Sequence, residues 1–224
     1  MLAYAFDWDF LLHRLPDLAD GLRITAIISA IGIGGSLAIG LLGGALRAHR
    51  VPIADQVVAG YVEFVRNTPL LVQIFFLYFA LPEIGIKLAP FTVAWLSLVI
   101  WGTAYNVENF RAGFESVGHN YREAGDALAL SRLDIFGLIT LPIGLRVALP
   151  STINTSISVL KNSSFMVAIG YPELTDTATN IVSVTFRVFE MFFALGVVYL
   201  AVVWGLSGFM RWVERKLALP GEVR

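Results

Sequence analysis

Long apolar runs broken by short polar connections dominate this chain. Leu22–Ala45, Val57–Leu81, about Phe91–Phe110, about Ile143–Ile169 and Met191–Trp212 are each rich in apolar or small residues. Each is near the ~20 residues that carry an α-helix across a hydrocarbon core. The pattern predicts an all-α fold, a membrane bundle of five transmembrane helices spanning 21–213. An outer segment over 1–20 precedes the bundle and a short tail over 214–224 follows it. Between the fourth and fifth spans, the sequence YPELTDTATNIVSVTFRVFE predicts a polar loop with a short helix.

The first span carries glycines at 32, 34, 35, 40, 43 and 44. Small residues at close intervals let helices approach tightly in lipid, so this span is expected to pack against protein. Composition agrees with a bilayer solvent: 57% of residues are hydrophobic, 15% are charged, and the mean hydropathy is +0.73. The formal net charge of −1 gives no electrostatic basis for binding nucleic acid. Without cysteine there is no disulfide or thiolate site, and His13, His49 and His119 have no metal-ligand spacing. The N-terminus MLAYAFDWDF carries Asp7 and Asp9 instead of a basic region, so the first apolar run reads as a retained helix. The five tryptophans fall where interfacial belts or packed faces place them.

Basic residues orient the bundle. Arg47, Arg50, Arg111, Arg122, Arg132, Arg146, Arg211, Arg215, Lys216 and Arg224 fall on one side of a five-span arrangement. Arg14, Arg23, Lys87 and Arg187 fall on the other, beside Asp7, Asp9, Asp17 and Asp20. The excess of basic residues marks the cytoplasmic side. The N-terminus is therefore expected outside, in the periplasm of a bacterial inner membrane, and the C-terminus and the 118–142 connection in the cytoplasm.

That connection holds the sequence EAGDALALSRLDIFGLITLP from Glu123 to Pro142. Residues 120–130 favour helix, Ser131–Asp134 is polar, and Pro142 kinks or restarts a helix because it lacks an amide hydrogen. Two short helices joined by a bend are expected. The stretch resembles the EAA loop of the membrane subunits of bacterial ABC importers, with Glu123, Ala124, Ile139, Leu141 and Pro142 on the pattern. Gly125 replaces the pattern's third alanine and keeps a small residue there. Ala129 replaces its glycine, and alanine tolerates a positive φ poorly. YVEFVRNTPLLVQIFFLYFALP at 61–82, AYNVENFRAG at 104–113, LKNSSF at 160–165 and VERKLALPG at 213–221 are similar to the polar amino-acid importers. The likeness is greatest to glutamate/aspartate-type permeases and covers about Gly21–Gly221.

The resemblance implies a type I importer permease, not an enzyme, that carries a polar amino acid, glutamate/aspartate or glutamine-like. It implies as partners a cytoplasmic ABC ATPase dimer, a second permease subunit (identical or homologous) and a periplasmic substrate-binding protein, all at a lipid bilayer. ATP and magnesium would be held by the ATPase, with no cofactor on this chain. The loop would dock in that ATPase, through polar contacts of Glu123 and Asp126 and packing of Ala124, Ala127 and Leu130, with Gly125 and Ala129 setting its shape.

Polar groups within the spans are candidates for a substrate pathway. Arg66 lies about ten residues into the second span, where a lone charge costs roughly 2.5–3.5 kcal/mol. Glu63, one turn earlier, is a structural partner for it; the alternative is a role in the pathway together with Asn67, Thr68 and Gln73. Pro69 frees a backbone carbonyl nearby. On the fourth span, Ser151, Asn154, Thr155, Ser158, Lys161 and Asn162 fall in an arc of about 120°, and Ser163 follows. Lipid cannot satisfy such a stripe, so it faces another helix or an aqueous path. Lys161 either receives a substrate carboxylate or pairs with a carboxylate of this or a partner subunit. Glu108 and Arg111 read as an ion pair that sets helix packing.

Other function classes fit less well. No phosphate-cradling glycine loop with Lys and Ser/Thr is present. A self-sufficient secondary transporter or channel remains the alternative, although such proteins usually show an internal repeat. A membrane hydrolase is disfavoured because GxSxG and HExxH are both missing.

Overall fold

The computed structural model describes residues 6–217, without the side chains of Arg122 and Leu217. Residues 1–5 and 218–224, with Arg224, the start of the outer segment and most of the tail, lie outside the described residues. Every regular element among the described residues is helical, with no strand.

A short helix α1 (Trp8–His13), capped by the Asp7 side chain, leads into α2 (Leu15–Ala48). The latter starts seven residues before the apolar run, because Pro16 fits a first helical turn and the polar Asp17 and Asp20 belong to the same helix. Its glycines form a seam against α5 (Pro90–Glu115). A Cβ on Gly32, Gly40 or Gly44 would stand 2.9, 2.5 or 2.6 Å from the Cβ atoms of Leu98, Asn106 or Phe110. The first span therefore packs against protein, through a contact only glycine permits.

The second predicted span is not one straight helix. It breaks into α3 (Ala54–Arg66) and α4 (Leu70–Phe75), whose continuation to Ile84 is inclined 103° to α3. Pro69 supplies no amide hydrogen, and three side chains close the broken ends. Asn67 donates to the Glu63 carbonyl (2.8 Å) and Thr68 to that of Phe64 (2.9 Å). The Gln73 amide donates to the Val65 and Thr68 carbonyls (3.0 and 3.1 Å). A hydropathy window runs smoothly across this break because the flanking residues are apolar on both sides.

By length and apolarity, α2, the run Arg132–Ile169 and Val188–Lys216 can each cross a membrane, and the bent α3–α4 pair makes a fourth. The expected third span, α5, is not in that group. At 26 residues it is about 39 Å long, enough to cross, but it carries Thr103, Asn106, Glu108 and Asn109. It can be polar because it is the interior helix: Val93, Ala94, Leu98, Ala104, Val107 and Phe114 are all buried, so α2, α3 and α8 surround it in place of lipid.

After α5 the chain forms α6 (His119–Ala127), a bend, α7 (Arg132–Ile135) and a wider, π-helical turn over Phe136–Thr140. Pro142 is the second residue of the next helix, α8 (Leu141–Asn162). That helix tightens into a 3₁₀ turn over Ser163–Ile169. The polar segment beyond it holds α9 (Leu174–Thr185), and α10 (Val188–Leu217) completes the bundle. Three apolar clusters lie along it. Ile28, Ile74, Leu98, Val159 and Met166 fill the middle; Leu18, Leu174, Met191 and Leu195 fill one end, and Phe110, Phe114 and Ala148 the other.

Candidate functional site

The 118–142 connection is built to present a surface. Among the described side chains of α6 only Gly125 is buried, against α7: a Cβ there would stand 2.8 Å from Cγ1 of Ile135. Glycine is thus required by this contact, so the alanine of the EAA pattern would not be a free replacement. Ala129 has φ +54°. Its amide donates to the Asp126 carbonyl and the Leu130 amide to that of Gly125, closing the helix end in the left-handed geometry usually given to glycine. Ser131 and Asp134 then form a capping box that starts α7.

Glu123, Ala124, Asp126, Ala127 and Ala129 are exposed and Leu130 is half-buried. Glu123 meets the His119 ring nitrogen at 3.1 Å, also in the open. Leu128 and Leu133, 74% and 82% exposed, are the most exposed large apolar groups of this surface, ahead of Leu138 and Tyr121. Sequence reading passed over them because apolar residues are unremarkable in a membrane chain.

Charged groups gather at the same end of the bundle. Arg47, in the last turn of α2, pairs with Asp55 on α3 (3.2 Å) and with Glu108 on α5. Glu108 also pairs with Arg111 (2.7 Å), as the three-residue spacing predicts, and Arg111 reaches Glu115 (2.7 Å). No ion pair joins Glu63 and Arg66 among the described residues, contrary to the structural pairing offered for them. Arg66 lies over the Tyr105 ring instead, 5.0 Å from its centroid. Glu63 and Arg66 line a recess of about 470 Å³ with Arg47, Asn67, Tyr105 and Glu108.

The other candidates separate. Thr68 and Gln73 close the α3–α4 break, and Asn67 does so with its amide nitrogen while also lining the recess. On α8, Ser151, Asn154 and Lys161 are exposed and Ser158 and Asn162 half-buried, so the fourth-span stripe is largely uncovered. Ser158 donates to the Asn154 carbonyl (3.0 Å). Ser163 is buried and donates to Leu160 (2.6 Å), which places its hydroxyl inside the helix turn. Lys161 makes no ion pair among the described residues and lines a shallow recess of about 390 Å³ with Ser164 and Tyr199. The recesses of Arg66 and Lys161 share no residue.

Two polar arrangements escaped sequence reading. A buried chain runs from the Thr155 hydroxyl to Asn109 (2.9 Å), Asn106 (3.2 Å) and Ser36 (3.2 Å), linking α8, α5 and α2. Its signal was two asparagines three apart in YNVENF, a spacing that puts them on one helix face. The second centres on Glu173, which is fully buried. Its carboxylate accepts from the Asp176 amide (2.9 Å) and the hydroxyls of Thr25 and Tyr199 (3.2 Å each). Burial raises the pKa of Glu173 and of neighbouring Asp176, outweighing the hydrogen bonds that lower them. Nothing in PEL distinguishes such a residue from an exposed helix cap.

An apolar bundle with an interior polar helix, a broken second span and an exposed two-helix excursion between its third and fourth long segments is the frame of a transport permease. The chain belongs to the binding-protein-dependent transport system inner membrane component family, matched over residues 22–219. It is 37% identical over 216 residues to the glutamine transport system permease protein GlnP of Escherichia coli (strain K12), covering 96% of this chain and 99% of that one. It is also 37% identical over 198 residues to a probable glutamine ABC transporter permease protein GlnP of Bacillus subtilis (strain 168), covering 87% and 91%. Among solved structures it superposes on a chain of an amino acid ABC transporter crystallised with histidines, with TM-score 0.88, 27% identity, and coverage of 95% of this chain and 100% of that one. A chain of the inward-facing MetNI methionine ABC transporter shares the fold at TM-score 0.79 and 17% identity, with coverage of 92% and 98%.

Proposed function

We propose that this chain is the permease subunit of an ATP-driven importer of a polar amino acid, with glutamine favoured over glutamate and aspartate. The E. coli and B. subtilis relatives carry glutamine in their names, which supports that order. The observation that carries the coupling is the 118–142 excursion. It holds Leu128 and Leu133 in the open on two short helices, the second started by a capping box, a surface whose apolar groups call for a partner. That partner is a cytoplasmic ATPase, which holds the ATP and magnesium. The permease itself is not an enzyme.

In this reading the helices cross five times, with α5 as the interior crossing. The arginine-rich end faces the cytoplasm and the N-terminus the periplasm, where a substrate-binding protein delivers the amino acid. A second permease, identical or homologous, covers the open polar face of α8. Lys161 and Asn154 then face the pathway, with Ser158 and Asn162 beside them, while Arg66 and Asn67 lie nearer the cytoplasm.

The test is reconstitution of the permease with its ATPase and binding protein in liposomes. Amino-acid uptake that requires ATP and the binding protein is expected. Uptake driven by an ion gradient with no ATPase present would overturn the reading in favour of a secondary transporter.

A further inference from the structure

The Arg66 recess carries a charge pattern more specific than a polar pathway. Four of its lining residues are charged. Two are engaged: Arg47 with Asp55 and Glu108, and Glu108 with Arg111 as well. Glu63 and Arg66, one helical turn apart on α3, have no ion-pair partner among the described residues, although that spacing normally lets such residues meet. Arg66 is turned onto the Tyr105 ring instead. One wall of the recess therefore presents a carboxylate and a guanidinium that make no ion pair among the described residues, with Glu108 across the recess within electrostatic reach of Arg66, and the four charges sum to zero.

We infer that this recess binds the zwitterionic head group of a free α-amino acid, with the carboxylate on Arg66 and the ammonium on Glu63. The inference rests on the amino-acid reading above and gives it a head-group site. A guanidinium fork meets a carboxylate through two parallel hydrogen bonds, and the Tyr105 face holds its plane without using those donors. The balanced charge imposes no net cost on a ligand that is itself neutral overall, and favours an uncharged side chain such as an amide. A volume of about 470 Å³ lies within the roughly 300–1,000 Å³ of small-molecule sites. The recess includes the Arg47–Glu108 pair at the arginine-rich end of the bundle, the proposed cytoplasmic side, so it serves the amino acid that is leaving the pathway or already in the cytoplasm.

The test is equilibrium binding to the nucleotide-free permease–ATPase complex, without binding protein, using labelled L-glutamine and a panel of the other amino acids. Competitors are N-acetylglutamine, which lacks the ammonium, and the α-carboxamide of glutamine, which lacks the carboxylate. Wild type should bind glutamine and discriminate against both competitors at least tenfold. Glu63→Gln and Arg66→Gln should each weaken glutamine binding at least tenfold, while still co-purifying with the ATPase at the wild-type melting temperature. Glu63→Gln should lose discrimination against the N-acetyl compound only, and Arg66→Gln against the carboxamide only. No binding of any amino acid by wild type, wild-type binding by both variants, or discrimination unchanged in the weakened variants would each overturn the inference. ATP-coupled uptake measured on the same wild-type preparation separates these outcomes from failure of the importer reading, which loss of uptake alone would signal.

Discussion

Gly113 on α5 and Gly144 on α8 meet backbone to backbone at the root of the 118–142 excursion. A Cβ on Gly144 would stand 2.5 Å from Cδ1 of Phe114 and 3.0 Å from the Gly113 carbonyl oxygen. One on Gly113 would overlap the Gly144 carbonyl oxygen and stand 2.9 Å from the Ala148 Cβ. Backbone cannot yield as a flexible side chain does, so the two helices flanking the loop are pinned at one separation. Gly113→Ala should force them apart at an overpacking cost of about 1–3 kcal/mol. Thermal denaturation of the purified protein checks the cost. ATPase stimulation by loaded binding protein checks whether the loop has moved, and an unchanged melting temperature would show that the seam has slack.

The bend at Ala129 gives a prediction of opposite sign. A left-handed conformation costs a non-glycine residue roughly 1–2 kcal/mol, and the entropy glycine loses on folding returns about 0.5–1 kcal/mol of that. Ala129→Gly, at φ +54°, should therefore be stabilising by up to about 1 kcal/mol. Ala129→Val should be destabilising, because a β-branched side chain is least tolerant there. Melting temperatures of the two variants, read against wild type, should fall on either side of it.

What could be read in the sequence was what depends on neighbours along the chain. Glycines 32, 40 and 44 signalled a close helix seam because small side chains have that consequence wherever the helix docks. Glu123–Pro142 signalled two short helices because caps and prolines act locally. The 103° break after Arg66 is hidden by apolar residues on both sides of Pro69; Asn67, Thr68 and Gln73 stand out as polar, but polarity alone does not tell a pathway lining from bonds to broken helix ends. Gly125 reads in the sequence as one small residue in place of another, since Ile135, which a Cβ there would crowd, lies ten residues away. The pairing of Arg66 with Glu63 was a sound expectation from spacing, but Tyr105, on another helix, took the guanidinium.

Glu173 makes stability depend on pH. Burial raises its carboxyl above the ordinary value of 4.5, so from 4.5 upward to that raised value the folded protein keeps a proton that the unfolded chain releases. Stability from this group is fully present below pH 4.5 and is lost as pH rises through the folded pKa. Asp176, raised from 3.8, acts with the same sign. Glu173→Gln removes this group's share of the slope while still accepting from the Asp176 amide. Its advantage over wild type should grow from acid to neutral pH in a series of melting curves. Glu173→Ala removes the same slope but leaves the Thr25 and Tyr199 hydroxyls without the acceptor they have in wild type, so it should cost roughly 1–3 kcal/mol at acid pH, a deficit that narrows toward neutral pH and stays below Glu173→Gln throughout.

The charge network at the arginine-rich end should respond unequally to two similar substitutions. The pairs of Arg111 with Glu108 and Glu115 are spaced three and four residues apart on α5, and such pairs within one helix contribute about 0.2–0.5 kcal/mol each. Arg111→Met should therefore cost under about 1 kcal/mol and be nearly silent at high salt. Arg47 is different, since it ties α2 to α3 through Asp55 and to α5 through Glu108, with side chains only 20–35% exposed. Removing it leaves Asp55 without its ion-pair partner and Glu108 with Arg111 alone, where water only partly compensates, at a cost between the surface and buried limits, roughly 1–3 kcal/mol. Because α5 runs on into the 118–142 loop, the loss should also lower uptake per ATP hydrolysed by the reconstituted complex. Equal effects of Arg47→Met and Arg111→Met on melting temperature would show that the bridge between helices adds nothing to the pairs within α5.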